Sequence, residues 1–360
     1  MSLPFRSYDL LISRLYKLLV QHRRASMYSS LLSESYTWDP RPYYPLVSAI
    51  KRYWKPSWQD GLTLVFAHGT GFSKEHWEPT IDDLLDIIEQ QSSKIKIREI
   101  WSIDAPNHGD SAILNEKKLQ WGYEPAFPWV DYGRSIHSFL TGRGRTLLGS
   151  TLEGKVVGNF DFSSHILVGI GHSASAIALL LGLDFAPSIE GLFTSMICVE
   201  PMTMDPSVIF KTSAGKLAPG SDVRRDIWPS REDAYKMLKA RKTWKMWDDR
   251  VLKIFVETGL RPLPTLEYPD IKEGVTLKCS RKQEAAVYRD NNGYSTVYRG
   301  FRSYASRVRI HICYGTIHDY IAEENIEDVI KNAIGGTQNL ASFGYIEGWD
   351  IQPHNRIHGK

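Results

Sequence analysis

The segment ILVGIGHSASAIALLLG, residues 166–182, is the part of the chain from which the architecture can be inferred. An apolar run typical of a buried strand ends at Gly171, and a run typical of a buried helix follows Ser175. Ser173 lies at the corner between them. In a Gly-X-Ser-X-Gly elbow a nucleophilic serine occupies a strained strand-to-helix turn between very small residues. Ser175 stands at the second glycine of that pattern, and Ser173 could equally be a simple helix N-cap.

A second apolar strand, in LTLVFAHGTGF (62–72), ends in a glycine-rich loop. Its glycines allow backbone N–H groups to approach a ligand, so the loop can supply one half of an oxyanion hole. We predict the N–H groups of Thr70 and Ala174 as the two halves. The alternative interpretation of the loop is a tight structural turn. The predicted substrate-binding residues in and around these motifs are His68, Gly69, Gly71 and His172.

Between these two motifs lies IREIWSIDAPNHGDS (97–111), a strand followed by Asp104 and a turn. The three strand-plus-loop motifs occur in the order and at roughly the spacing of the α/β-hydrolase fold, and three agreeing motifs are far more specific than one. The chain resembles that superfamily along most of its length. More narrowly, HGTGFSKEHWEPTIDDLL (68–85) and RRDIWPSREDA (224–234) resemble fungal peroxisomal and toxin-pathway hydrolases, including the acyl-CoA hydrolase of mycophenolic acid biosynthesis.

The resemblance implies a mostly parallel sheet flanked by helices, with an inserted helical cap. We expect an amphipathic helix or extension over 1–37, the first part of the core over 38–202, the cap over 203–300 and the last core strands over 301–360. The alternative interpretation of the amino-terminal segment is a mitochondrial transit segment, which it resembles in composition. In this fold, aromatic residues of the cap line the substrate pocket, and we predict Trp228 as one of them.

Two acids are candidates for orienting the histidine of a catalytic triad. Glu200 ends an apolar strand in GLFTSMICVEP (191–201), and Asp319 follows the strand in SRVRIHICYG (306–315). Most of the superfamily carries its acid at the position of Asp319, whereas the fungal subgroup carries it at the position of Glu200. A carboxylate at the end of an apolar strand needs a partner such as an imidazole N–H. We predict Glu200 and keep Asp319 as the alternative, which can instead cap the next helix.

The catalytic histidine has the weakest match to the family pattern. The superfamily carries it as Gly-His just after the last strand, followed by a final helix that packs on the sheet. Here the last predicted strand, in LASFGYIEG (340–348), is followed by WDIQPHNRIHGK. We predict His354 as the base, with His318 as the alternative. The missing final helix suggests a truncated carboxyl terminus that has lost the natural histidine.

Composition narrows the class of protein. A chain of 360 residues that is 42% hydrophobic and 24% charged can bury one large core, which excludes intrinsic disorder. The formal charge of +3 and the absence of a long Lys/Arg block exclude a nucleic-acid partner, and no apolar run is long enough for a membrane span. The three cysteines are predicted to be reduced core thiols, which favours a cytoplasmic location, with peroxisome or mitochondrion as alternatives.

These observations predict a serine hydrolase that cleaves an ester or acyl-CoA thioester through an acyl-enzyme, without metal or organic cofactor. Two alternatives remain open: a catalytically impaired hydrolase-fold protein, and an acyltransferase of secondary metabolism that uses the same serine. An epoxide hydrolase or dehalogenase would need Asp at the elbow, and Ser173 argues against both. The sequence does not indicate an oligomeric state.

Overall fold

The structure is a computed structural model that describes residues 31–90, 94–208, 213–318 and 320–346. Its strands are β1 (Leu32–Asp39), β2 (Ser48–Trp54), β3 (Leu62–Ala67), β4 (Ile97–Ile103), β5 (Arg145–Leu148), β6 (Val156–Val157), β7 (Ile166–His172), β8 (Phe193–Val199), β9 (Ile227–Trp228), β10 (Leu260–Pro262), β11 (Val275–Leu277), β12 (Ile310–Gly315) and β13 (Ser342–Ile346).

The α-helices are α1 (Glu78–Gln90), α2 (Gly109–Gly122), α3 (Trp129–Leu140), α4 (Ala174–Gly182), α5 (Leu217–Val223), α6 (Arg231–Lys239), α7 (Lys242–Lys245), α8 (Asp249–Thr258), α9 (Arg281–Tyr288), α10 (Gly293–Arg307) and α11 (Glu323–Asp328). The last of these continues as a wider helical turn over Val329–Ile334.

Ten strands form one sheet in the order β13-β12-β8-β7-β3-β4-β2-β1-β5-β6. The six strands from β13 to β4 run parallel, and β2, β1, β5 and β6 continue the sheet in antiparallel pairs. The predicted mostly parallel sheet flanked by helices is confirmed. Because parallel strands present their carboxyl ends at one edge, the loops after β3, β4, β7, β8 and β12 meet there.

Helices cover both faces of the parallel strands, and this explains their composition. Every residue of β3 (LTLVFA) and of β12 (IHICYG) is buried, as expected for strands enclosed on two sides. One face packs Trp101 and Phe139 into a large cluster with α3, α4 and α10. The other packs Phe66 against Leu84 of α1. The three cysteines are buried free thiols, as predicted.

The segment over the carboxyl edge differs in detail from the helical cap predicted for 203–300. It contains a second sheet, in the order β10-β11-β9, with a hydrophobic cluster of its own around Trp228, Trp247 and Phe255. Helix α10 packs on the main core through Phe301. At the other end of the chain, the main sheet begins at Leu32, before the expected boundary at residue 38, because β1 pairs with β2 from that residue onward.

No helix in the four described stretches is both long and apolar enough to cross a membrane.

Candidate active site

Ser173 occupies the strained corner that the GHSAS pattern predicts. It lies between β7 and α4 with φ 58° and ψ −126°, and its side chain is largely buried. A Cβ on Gly171 would lie 2.7 Å from Cα of Ala176, so that position requires glycine. The backbone N–H of Ser173 donates to the carbonyl of Val199 over 2.9 Å. The turn therefore presents the hydroxyl at the carboxyl edge of the sheet, as an elbow nucleophile requires.

Ser175 explains the departure from the Gly-X-Ser-X-Gly pattern. Its hydroxyl accepts the N–H of His172 over 2.9 Å and lies 2.8 Å from the carbonyl oxygens of Ala67 and His172. Ala67 is the last residue of β3. The side chain that replaces the second glycine thus joins the elbow to the neighbouring strand.

The glycine-rich loop is held by two neutral histidines. His68 donates from Nδ1 to the carbonyl of Gly69 over 2.9 Å and accepts the N–H of Ala105 at Nε2 over 3.0 Å. Burial lowers the pKa of His68 to about 3, which agrees with this neutral form. With both ring nitrogens engaged by backbone, His68 joins the loops after β3 and β4. These two contacts give the ring of His68 a structural role, and substrate binding by this residue stays a prediction.

His108 fixes the same loop from the other side, a role that the sequence analysis did not assign. Its Nε2 accepts the N–H of Gly71 over 2.9 Å, and its Nδ1 lies 2.8 Å from Oδ1 of Asn107. Burial lowers the pKa of His108 well below the ordinary value, so the ring is neutral and can accept that N–H. Gly71 has φ +85°, a conformation that favours glycine. At Gly69 a Cβ would lie 2.5 Å from Nδ1 of His172.

Thr70 and Ala174 both lie beside the elbow. Thr70 lines a small cavity together with Ser173 and His172, and Ala174 begins α4 directly after the serine. Within the described ranges, no hydrogen bond uses the backbone N–H of either residue. The hydroxyl of Thr70 is likewise buried without a partner there. The remaining residues that line this cavity are Phe72, Met202, Leu217, Tyr288 and Tyr320.

Glu200 lies directly after β8 and has the second strained backbone. Ser173 and Glu200, the latter with φ 48°, are the two non-glycine residues with positive φ in the part of the chain that is described. Such strain concentrates at functional sites. The carboxyl of Glu200 accepts the N–H of Gly315, at the end of β12. Burial raises its pKa to about 8, and the Gly315 N–H opposes that rise.

Backbone hydrogen bonds tie Ser173 to the residues on both sides of Glu200. Ser173 donates to the carbonyl of Val199 and accepts the N–H of Met202 over 3.4 Å, so the serine turn and the turn that contains Glu200 are held together. The predicted nucleophile and the predicted acid are thereby fixed on adjacent strands at one edge of the sheet.

Residues 64–320 match a family described as alpha/beta hydrolase family. The chain belongs to this family. The type I acyl-CoA thioesterase mpaH of Penicillium brevicompactum is 32% identical over 216 residues, which are 59% of this chain and 43% of that protein. The match thus spans less than half the length of this curated relative. The predicted resemblance to fungal hydrolases is confirmed.

Solved structures of hydrolases share the fold. The peroxisomal α/β-hydrolase Lpx1 of Saccharomyces cerevisiae superposes with a TM-score of 0.60 at 18% identity, covering 89% of this chain and 83% of that one. The thioesterase domain from the curacin biosynthetic pathway gives a TM-score of 0.58 at 12% identity, covering 90% of this chain and 95% of that one.

The structure describes one of the two histidines that are predicted as the catalytic base. His318 is half-buried in the loop after β12, and its ring lies 6.0 Å from that of Tyr345. Its Nε2 is buried without a hydrogen-bond partner among the described residues. The same loop reaches the Ser173 cavity at Tyr320. His354 and the alternative acid Asp319 lie outside the described residues.

Two of the predicted substrate-binding residues, His172 and Trp228, lie in different places. His172 lines the cavity beside Ser173. Trp228 is 2% exposed, lies in β9 and packs into the cluster of the small sheet, so it does not line that cavity. In the described ranges, no group of three or more His, Cys, Asp or Glu side chains is arranged to hold a metal ion.

Proposed function

We propose that the chain is a serine hydrolase that cleaves a carboxylic ester or an acyl thioester through an acyl-enzyme. The observation that carries this proposal is the pairing of two strained residues, Ser173 and Glu200, on adjacent strands and tied through Val199 and Met202. A nucleophile and an acid at the ends of neighbouring parallel strands are two members of a triad that recurs on this fold.

In the proposed mechanism, Ser173 Oγ forms a bond to the carbonyl carbon of the substrate while a histidine takes the hydroxyl proton. The backbone N–H groups of Thr70 and Ala174 hold the oxyanion of the tetrahedral intermediate. Collapse breaks the bond to the alcohol or thiol, which leaves with the proton from the imidazolium. Water, activated by the same imidazole, then attacks the acyl-enzyme. Glu200 orients the ring and stabilises its charged form.

His354 is our proposed base, and His318 is the alternative. An imidazolium beside Glu200 would favour the carboxylate and lower the pKa of about 8 that burial gives the carboxyl among the described residues. The unpartnered Nε2 of His318, in a loop that adjoins the cavity, is the observation that keeps this alternative open.

An acyl thioester is the substrate class that we favour. The cavity beside Ser173 is lined by the apolar side chains of Phe72, Met202 and Leu217, which suit an acyl chain. A relative that is 32% identical is an acyl-CoA thioesterase. We place the reaction in the cytoplasm, with the peroxisome as the alternative because a second relative is described as a peroxisomal membrane protein.

The test is the hydrolysis of a series of acyl-CoA thioesters and p-nitrophenyl esters by the purified protein. We expect Ser173→Ala to reduce kcat by at least about a thousandfold with an unchanged melting temperature, because it removes one hydroxyl and leaves almost no cavity. His354→Ala should abolish turnover, and His318→Ala should leave it largely intact. Equal rates for wild type and Ser173→Ala would overturn the nucleophile, and the reverse ranking of the histidines would move the base to the loop after β12.

A second candidate function is that of a hydrolase-fold protein without turnover. The observation that favours it is that burial raises the pKa of Glu200 to about 8, as in a carboxyl with no cation beside it among the residues that the structure describes. This candidate predicts that wild type and Ser173→Ala are equally inactive toward every ester and thioester in the series.

A further inference from the structure

One segment of the cap is strongly basic, and the proposed mechanism does not use its charges. Residues 236–250, KMLKARKTWKMWDDR, contain six basic and two acidic side chains, although the whole chain has a formal charge of only +3. Local acids neutralise the flanks of this segment. Lys239 pairs with Asp249 over 2.5 Å, and Arg250 pairs with Asp83 over 2.7 Å.

Three cationic side chains in the middle of the segment are available to bind an anionic ligand. Arg241, Lys242 and Lys245 are all exposed, and no ion pair within the described parts of the chain involves any of them. We call these three residues the basic corner. Arg241 precedes α7, and Lys242 and Lys245 are the first and last residues of that helix. Because the three lie within five positions of one another, their positive potentials add at one place on the surface.

A row of aromatic rings links this corner to the Ser173 cavity. The ring of Trp244, inside the corner, lies 4.3 Å from that of Trp247, which lies 5.5 Å from that of Phe72. Phe72 lies 6.0 Å from the ring of His172, and both line the cavity with Ser173. Two ring contacts, from Trp244 to Trp247 and from Trp247 to Phe72, therefore lead from the cations to the wall of the cavity.

We propose that the basic corner binds the phosphate groups of the coenzyme A portion of an acyl-CoA substrate while the thioester lies at Ser173. This inference rests on the proposed function and specifies its substrate class. The nucleotide end of coenzyme A carries several negative charges, for which lysine and arginine are the fitting partners. An extended phosphopantetheine arm is as long as about five residues of extended chain, roughly 17 Å, which is more than the length of two ring contacts of this size.

In this proposal, contacts with the phosphates increase the affinity of the protein for acyl-CoA but take no part in cleavage of the thioester bond. Contacts with a remote, non-reacting part of the substrate that are equal in the ground state and the transition state lower KM and leave kcat unchanged. Because the three cations are exposed to solvent, salt should weaken their contribution. The N-acetylcysteamine thioester of the same acyl group has the same thioester bond but no phosphates. Its KM and kcat should therefore not depend on the basic corner.

The experiment compares wild type with the triple variant Arg241→Gln, Lys242→Gln, Lys245→Gln on these two thioesters. We expect KM for the acyl-CoA to rise about tenfold or more with kcat unchanged, and both constants for the N-acetylcysteamine thioester to stay the same. The matched control replaces three exposed lysines elsewhere, Lys117, Lys155 and Lys331, with glutamine, and should behave as wild type on both substrates. An unchanged KM for acyl-CoA, or equal losses on both thioesters, would overturn the proposal.

A binding measurement separates failure of this inference from failure of the proposed function. Titration calorimetry with free coenzyme A needs no turnover, so we expect wild type and Ser173→Ala to bind it equally and the triple variant to bind it about tenfold more weakly. If neither thioester is hydrolysed but this binding pattern is observed, binding of coenzyme A by the basic corner is supported and the proposed hydrolase function is contradicted. If the triple variant binds coenzyme A as wild type does and instead loses binding to phosphatidylserine vesicles, the corner is a lipid-facing surface and the inference is wrong.

Discussion

Ser173 and Glu200, the two non-glycine residues with positive φ among the described residues, are the most informative single residues. Positive φ strains a residue that carries a side chain, and such strain persists only where the surrounding structure enforces it. At Ser173 the enforcement comes from Gly171 and the hydrogen bond to Val199. At Glu200 it comes from the hydrogen bond of its N–H to the carbonyl of Cys313 over 2.7 Å and from the contact of its carboxyl with Gly315.

The charge of Glu200 gives a pH-dependent prediction about its partner. Without a cation beside it, the folded pKa is about 8, against an ordinary value of 4.5. Between those two values the unfolded chain has released the proton that the folded chain retains, so stability falls as pH rises from 5 to 8. We expect His354→Ala, which removes the imidazole, to show this fall, and wild type to show a smaller one.

Urea unfolding at pH 5 and pH 8 measures this difference. The double variant His354→Ala, Glu200→Gln is the control, because glutamine does not titrate and should remove the contribution of Glu200 to the fall. Identical pH dependence for wild type and His354→Ala would show that His354 does not pair with Glu200.

At the scale of elements, Ser175 is the link that positions the elbow against β3. Because its hydroxyl is buried between the N–H of His172 and the carbonyl of Ala67, Ser175→Ala leaves buried polar groups without a partner. We expect the free energy of unfolding to fall by about 1–3 kcal/mol, measured by urea denaturation. Ser303→Ala, at an exposed position of α10, should change it by less than about 0.5 kcal/mol. A loss at Ser175 no larger than this control would contradict the role of the hydroxyl.

At the scale of the whole molecule, the sequence predicted the parts of the fold that repeat a strong pattern. Strands such as β3 and β7 are continuous apolar runs that end in glycine-containing loops, so their existence and their place in a parallel sheet could be inferred. The sheet within the cap was missed because β9, β10 and β11 are only two or three residues long, too short to show a period.

The positions of the candidate site residues could be predicted where they lie in a loop motif, as for Ser173 and Thr70, or at the end of an apolar strand, as for Glu200. The roles of His108 and Ser175 depend on contacts with Gly71 and Ala67, residues 37 and 108 positions away, and no local pattern reports such contacts. Trp228 was assigned to the pocket from the usual place of cap aromatics, whereas the small sheet uses it as core.

The most direct test of the central claim is covalent labelling of the purified protein with a fluorophosphonate, followed by peptide mass spectrometry. A serine that is activated by a base and faces an oxyanion hole reacts with this reagent, whereas an ordinary N-cap serine does not. The account predicts one adduct per chain, located on Ser173 and absent from Ser173→Ala. No adduct on the native protein, or an adduct on another residue that persists in Ser173→Ala, would contradict it.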